Sequence, residues 1–200
     1  MRVKKTWVCD DCGEIHANSQ KEIGIQLAMP DGKKKSRNLQ WYLHEYFTKE
    51  TLSEVECHSN ACKIKQGVYK KGDRERFSKI VGGPEILVIQ LMRMRMGDFG
   101  DEKIMDRVKY PDRLDLSDYS NGPLSYQLNG VVSHSGETLT GGHYVSMVRS
   151  QRGNGFVICN DEKIDDKKTK AQVLSRAEGE EFQSYLLVYQ KIAGRMVNCI

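Results

Sequence analysis

Apolar side chains in this chain recur mostly at every second position, in short stretches bounded by turn residues. Residues 124–132 and 144–149 place apolar side chains at roughly every second position, while 155–159 and 185–190 are short, nearly continuous apolar runs, each the length of a strand. Residues 86–91 are apolar on both faces apart from Gln90, the pattern of a central strand. Just beyond, Met92, Met94 and Met96 alternate with Arg93, Arg95 and Gly97. That period of two predicts a half-buried strand with the methionines as core filler, closed by a turn at residues 97–101. Residues 22–27 predict a strand with one covered face, and 68–70 and 75–80 predict two more. Helical spacing occurs at residues 38–47, with Ser36 or Asn38 near the N-cap, and loosely at 172–182. Many strands with few helices predict an α+β fold built on antiparallel sheet.

Composition narrows the class. Two hundred residues suffice for one domain with a real core. A hydrophobic fraction of 38% and a charged fraction of 29% describe a globular chain. The formal charge of +4 is mild and does not by itself point to nucleic acid. The dense basic run Lys33-Lys34-Lys35-Ser36-Arg37 follows Pro30-Asp31-Gly32 and reads as a solvated turn. No apolar run reaches bilayer length, so no membrane partner is expected. The first residues are basic without the apolar core of a signal peptide, so an intracellular setting is expected, cytoplasmic, nuclear or both. Six cysteines in such a setting point to metal or reactive thiols rather than disulfides.

Four of them pair. Cys9-Asp10-Asp11-Cys12-Gly13 is a zinc knuckle, two thiols on a tight turn with glycine just after. Cys57 and Cys62 form a second, wider C-x₄-C pair. Together they can fill the closed tetrahedral shell of a structural Zn²⁺. His58 could replace a thiolate, and His16 lies close enough in sequence to compete. The alternative is two separate pairs of buried cysteines.

The second chemical signal is the stretch Ser133-His134-Ser135-Gly136, followed shortly by Gly141-Gly142-His143-Tyr144. A glycine pair permits a sharp turn and close approach of another group. The next strand ends in Asn160-Asp161, two side chains able to orient an imidazole. His143 followed by Asn160 or Asp161 is the second half of a Cys–His–Asn/Asp thiol-protease triad in papain-like order. Sequence does not rank the two.

Here the chain resembles a known family. Residues 126–190 are similar to the histidine box and closing strands of the ubiquitin-specific proteases, papain-like thiol deubiquitinases. Pro84-Glu85-Ile86-Leu87-Val88-Ile89-Gln90-Leu91 resembles the family's buried strand, and Val108-Lys109-Tyr110-Pro111 with Leu114-Asp115-Leu116 resembles the segment after it. The resemblance implies a papain-like fold of thumb, palm and fingers, here with zinc-ribbon fingers over 1–80, an antiparallel palm over 81–200 and the thumb missing. It implies hydrolysis of the bond after ubiquitin's C-terminal glycine, with ubiquitin and ubiquitinated proteins as partners and one structural zinc at the fingertips on Cys9, Cys12, Cys57 and Cys62. His143 matches the general base, Asn160 the third triad position and Asp161 the acid beside it. Gly141, Gly142 and Tyr144 match the channel for ubiquitin's tail, and His134 a position near the catalytic centre.

The family's nucleophile box, G-x-x-N-x-G-N-T-C, has no counterpart here. Cys159 stands where the family has an apolar residue, and Cys199 lies in a tail. The chain alone is therefore expected to be inactive: a fragment of an active enzyme, an inactive ubiquitin-binding or scaffold module, or the partner of a separately encoded thumb. A zinc-ribbon nucleic-acid binder would explain the cysteines and leave the histidine box unexplained.

Overall fold

The computed structural model describes residues 1–30, 37–48, 50–63, 71–97, 100–136, 141–151, 155–177 and 182–192. In chain order these form β1 (Arg2–Val8), β2 (Ile15–Lys21), β3 (Ile25–Ala28), β4 (Arg37–Asn38), α1 (Leu39–Phe47), β5 (Glu50–Glu56) and the short α2 (Asn60–Lys63). Then come β6 (Lys71–Gly82), β7 (Ile86–Met92), β8 (Met94–Gly97), β9 (Gly100–Lys103), β10 (Val108–Lys109) and β11 (Arg113–Asp115). The last part holds β12 (Ser125–Ser135), β13 (His143–Arg149), β14 (Phe156–Asn160), β15 (Lys163–Lys168), α3 (Lys170–Ala177) and β16 (Gln183–Ile192). The fold is mostly sheet with few helices.

Two sheets dominate. A four-stranded antiparallel sheet runs β2-β1-β6-β5. An eight-stranded sheet runs β15-β14-β13-β12-β16-β7-β3, with β11 also paired to β12. The expected strands at 86–91, 124–132, 144–149, 155–159 and 185–190 all lie in this second sheet. In β7, Leu87, Ile89 and Leu91 are fully buried while Ile86, Val88 and Gln90 face outward, so the uniformly apolar run carries a two-residue burial rhythm. α1 covers the core with Leu39, Tyr42, Leu43 and Phe47, the spacing of one helix face. Asn38 caps it, its Oδ1 accepting the Trp41 amide at 2.9 Å. Burying those four side chains stabilises by about 1.5–3 kcal/mol each.

Three readings of the sequence need correction. Residues 22–27 supply only the short β3, which lies at the edge of the eight-stranded sheet, parallel to β7. The methionines after β7 are not core: Met94 and Met96 are 53% and 89% exposed, whereas Arg93 is 2% exposed. Arg93 turns inward because three backbone carbonyls require a donor. Its Nε donates to Ser184 O at 2.7 Å, and its Nη1 to Ile104 O at 2.9 Å and Asp106 O at 2.8 Å. Burial lowers its pKa to about 10. The helix expected at 172–182 starts earlier, at Lys170. The basic run at 33–36 and the strand at 68–70 lie outside the described residues.

Candidate active site and metal centre

The β1–β2 turn is tightened by two backbone bonds, Gly13 N–H to Cys9 O at 2.8 Å and Cys9 N–H to Glu14 O at 2.9 Å. Gly13 sits at φ +73°, where a side chain would strain the backbone. The turn brings Cys9 and Cys12 to the same end of the sheet as Cys57, just after β5, and Cys62 in α2. All four Sγ atoms lie within 4.8 Å of one another, with Cys9–Cys62 at 3.5 Å and Cys12–Cys57 at 3.8 Å. Tetrahedral Zn²⁺ with bonds of about 2.3 Å separates its sulfurs by about 3.8 Å. The two pairs converge, and the cluster could hold a metal ion.

The thiols are not alike: burial pushes the Cys57 thiol up, and the bond to Cys12 together with burial pushes Cys62 up. Burial pushes the Cys9 thiol up, but the Asp11 and Cys12 amides and the Cys62 thiol outweigh it and lower its pKa to about 7. The Arg74 guanidinium, 5% exposed, bonds Asp11 at 2.9 Å and approaches Asp10 at 3.5 Å, both inside the knuckle. His16 stands beside the cluster rather than in it, with Nε2 3.2 Å from Cys57 Sγ and its ring stacked on Trp7 at 3.9 Å. His58 faces Glu56 at 3.8 Å and is 67% exposed.

The histidine site is built at one end of the eight-stranded sheet. His143 opens β13 and Asn160 closes the adjacent β14. Their side chains meet: His143 Nε2 hydrogen-bonds Asn160 Oδ1. An amide oxygen can only accept, so Nε2 carries the hydrogen and Nδ1 the lone pair. Asp161, at φ 51° and 78% exposed, places Oδ2 4.0 Å from Nδ1. The two candidates thus occupy different places: Asn160 holds the ring, and Asp161 adds negative charge near the basic nitrogen. The imidazole is 42% exposed and can be reached from outside.

His134 lies on the neighbouring strand β12, paired with Tyr144. The pairing of β12 with β16 shifts register twice, between Leu128 and Gly130 and between Val132 and Ser133. Such bulges re-aim side chains, and here both Ser133 and His134 end up buried. His134 Nδ1 receives Lys103 Nζ at 2.9 Å, and Tyr144 packs on the His134 ring at 4.5 Å. Burial and the Lys103 charge both lower the His134 pKa. Gly142, at φ +157°, presses against that ring: a Cβ there would stand 2.5 Å from Cε1 and nearer still to Nε2. Gly141 is exposed beside it, and Tyr144 is 56% exposed. Sequence reading missed Lys103, which sits in a polar stretch without periodicity.

Among the described residues no thiol contacts the His143 ring. Cys159 precedes Asn160 on β14, so its side chain points to the opposite face. Cys199 lies outside the described residues.

Comparison with known proteins places the chain as a whole. Residues 1–189 match the family model described as "Ubiquitin carboxyl-terminal hydrolase". Ubiquitin carboxyl-terminal hydrolase 10 of Saccharomyces cerevisiae is 29% identical over 132 residues, covering 64% of this chain and 16% of that protein. Ubiquitin carboxyl-terminal hydrolase 17-like protein 6 of Homo sapiens is 33% identical over 106 residues, 51% of this chain and 25% of that protein. Among solved structures, a SAGA DUB module bound to monoubiquitin superposes with TM-score 0.79 at 24% identity, covering 96% of this chain and 40% of that one. The SAGA Ubp8/Sgf11/Sus1/Sgf73 DUB module bound to ubiquitin aldehyde gives 0.77 at 23%, over 96% and 41%. The chain thus spans well under half the length of these relatives and shares the fold of the solved ones. With the model matched across nearly all of its length, the chain belongs to the ubiquitin carboxyl-terminal hydrolase family.

Proposed function

We propose that this chain supplies the general-base half, and much of the ubiquitin-binding surface, of a papain-like deubiquitinating thiol protease. The observation that carries the reading is the His143–Asn160 pair, which leaves Nδ1 as the basic nitrogen on a ring open to an incoming thiol. A cysteine supplied from outside the described residues would lose its proton to Nδ1. The resulting thiolate would attack the carbonyl carbon of ubiquitin's C-terminal glycine. The imidazolium, held by Asn160, returns the proton to the departing amine. Water then hydrolyses the thioester with His143 again as base. Gly141, Gly142 and Tyr144 would line the channel for the ubiquitin tail, with His134 behind it.

Under this reading the four-stranded sheet is the fingers and the cysteine cluster a structural zinc site. Cys9, Cys12, Cys57 and Cys62 would close the ion's shell, leaving no position for substrate. Ubiquitin and ubiquitinated proteins are the partners, and the setting is intracellular. No helix among the described residues is long and apolar enough to cross a membrane.

A second reading, an inactive ubiquitin-binding module, is favoured by the absence of a thiol at His143 among the described residues. Both readings require ubiquitin binding. Titration of the folded chain with ubiquitin, followed by NMR, should show weak, saturable shifts that Gly142→Trp reduces. No interaction at millimolar ubiquitin would overturn both.

A further inference from the structure

We propose that Lys103 is the positioning residue of the histidine centre: its ammonium holds His134 as the neutral tautomer with hydrogen on Nε2, and that ring seats the backbone on both sides of His143. The inference rests on the reading of His143 as general base for its meaning, but not for its geometry. An ammonium has three hydrogens and no lone pair. Lys103 Nζ meets three acceptors: His134 Nδ1 at 2.9 Å, Gln183 Oε1 at 2.9 Å, and Gly136 O. Since Lys103 can only donate, Nδ1 of His134 must accept, and the hydrogen of the neutral ring belongs on Nε2. Protonating His134 would set a second cation and an opposing N–H against the ammonium. The charge on Lys103 therefore does more than fill space.

Position passes from that ring to His143 through backbone. Gly142 leaves no room for a Cβ against Nε2 and Cε1 of His134. Tyr144 lies on the same ring at 4.5 Å and is its cross-strand partner. His143 is thus bracketed by two residues that both rest on His134. Lys103 draws together the end of β9, the end of β12 and the start of β16, three segments distant in sequence.

The test is a two-bond ¹H–¹⁵N correlation spectrum of the histidine rings in the ¹⁵N-labelled chain at pH 7, with His134→Gln and His143→Gln for assignment. Wild-type His134 should show the neutral pattern with hydrogen on Nε2. Lys103→Met, with the rest of the amide spectrum retained, should remove that pattern at His134 and shift the ring signals of His143. Gly142→Ala should shift both rings with Lys103 intact. A wild-type His134 protonated on Nδ1, alone or as the cation, would overturn the proposal, and so would a folded Lys103→Met that leaves both rings unchanged. If Lys103→Met does not fold, the wild-type pattern and Gly142→Ala decide. Failure of the general-base reading is seen elsewhere, as turnover that survives His143→Ala in an enzyme with its nucleophile, and would leave these spectra unaltered.

Discussion

The two main sheets are held together by different means. In the eight-stranded sheet, β7, β12, β13, β14 and β16 each send side chains into one continuous apolar cluster that α1 covers. The four-stranded sheet gives that cluster one residue, Ile80 of β6, and its strands β2 and β5 are largely exposed. At its far end the buried side chains are Cys9, Cys57 and Arg74. A sheet with so little core gains its folding energy from elsewhere, and four converging thiols provide a place for it. Apolar burial fixes the histidine site, whereas coordination chemistry would fix the arm.

Metal removal should separate the two most strongly. Structural Zn²⁺ contributes on the order of 10 kcal/mol in small cysteine sites. Protein purified without added metal should carry close to one equivalent of zinc. Chelation, or Cys57→Ser, should expose the amides of β1, β2 and β5 to hydrogen exchange while β7, β12 and β16 stay protected. Loss of protection in both sheets together would break the comparison. So would well-folded protein lacking zinc.

The converse change belongs to the core. Leu87→Ala empties a fully buried site in β7 and should cost about 2–5 kcal/mol in denaturant unfolding. Its zinc content should remain unchanged in folded protein.

A smaller effect lies in the ion network of Asp112. Burial alone would raise this carboxyl, but the Lys170 and Gln127 bonds and the Arg149 guanidinium bring its pKa below the usual value. A group depressed in the folded state stabilises above its unfolded pKa and loses that contribution as pH falls through the folded one. Stability from Asp112 should therefore be complete above about pH 5 and fade below about pH 4. Asp112→Asn should cost about 1–2 kcal/mol at pH 7 and much less at pH 3, as read from urea midpoints. Equal cost at both pH values would remove charge from the explanation.

Much of this was legible in the sequence, for physical reasons. Short apolar stretches of strand length marked the strands of the large sheet, because their side chains fill the core. Asn38 marked the start of α1 because an unsatisfied amide there needs an acceptor. The cysteine spacing and the glycine pair before His143 revealed which groups must approach closely. The inward turn of Arg93 was hidden, because a two-residue alternation fixes which residues share a face and not which face is buried. Hydrophobicity chose the methionines, while the carbonyls of Ser184, Ile104 and Asp106 chose the arginine. β15, with sequence KIDDKK, and β2, with sequence IHANSQK, gave no signal. Such edge strands are set by pairing with a neighbour rather than by burial. Lys103 was invisible because its three acceptors come from separate parts of the chain.

The role of His143 as general base can be read from hydrolysis of ubiquitin carrying a C-terminal fluorogenic group. Turnover would be measured for this chain alone and for the chain joined to a family thumb that bears the cysteine box. The chain alone should give no turnover, the joined protein should turn over, and His143→Ala should abolish that activity again. Robust turnover by the chain alone, or joined activity that survives His143→Ala, would contradict this reading.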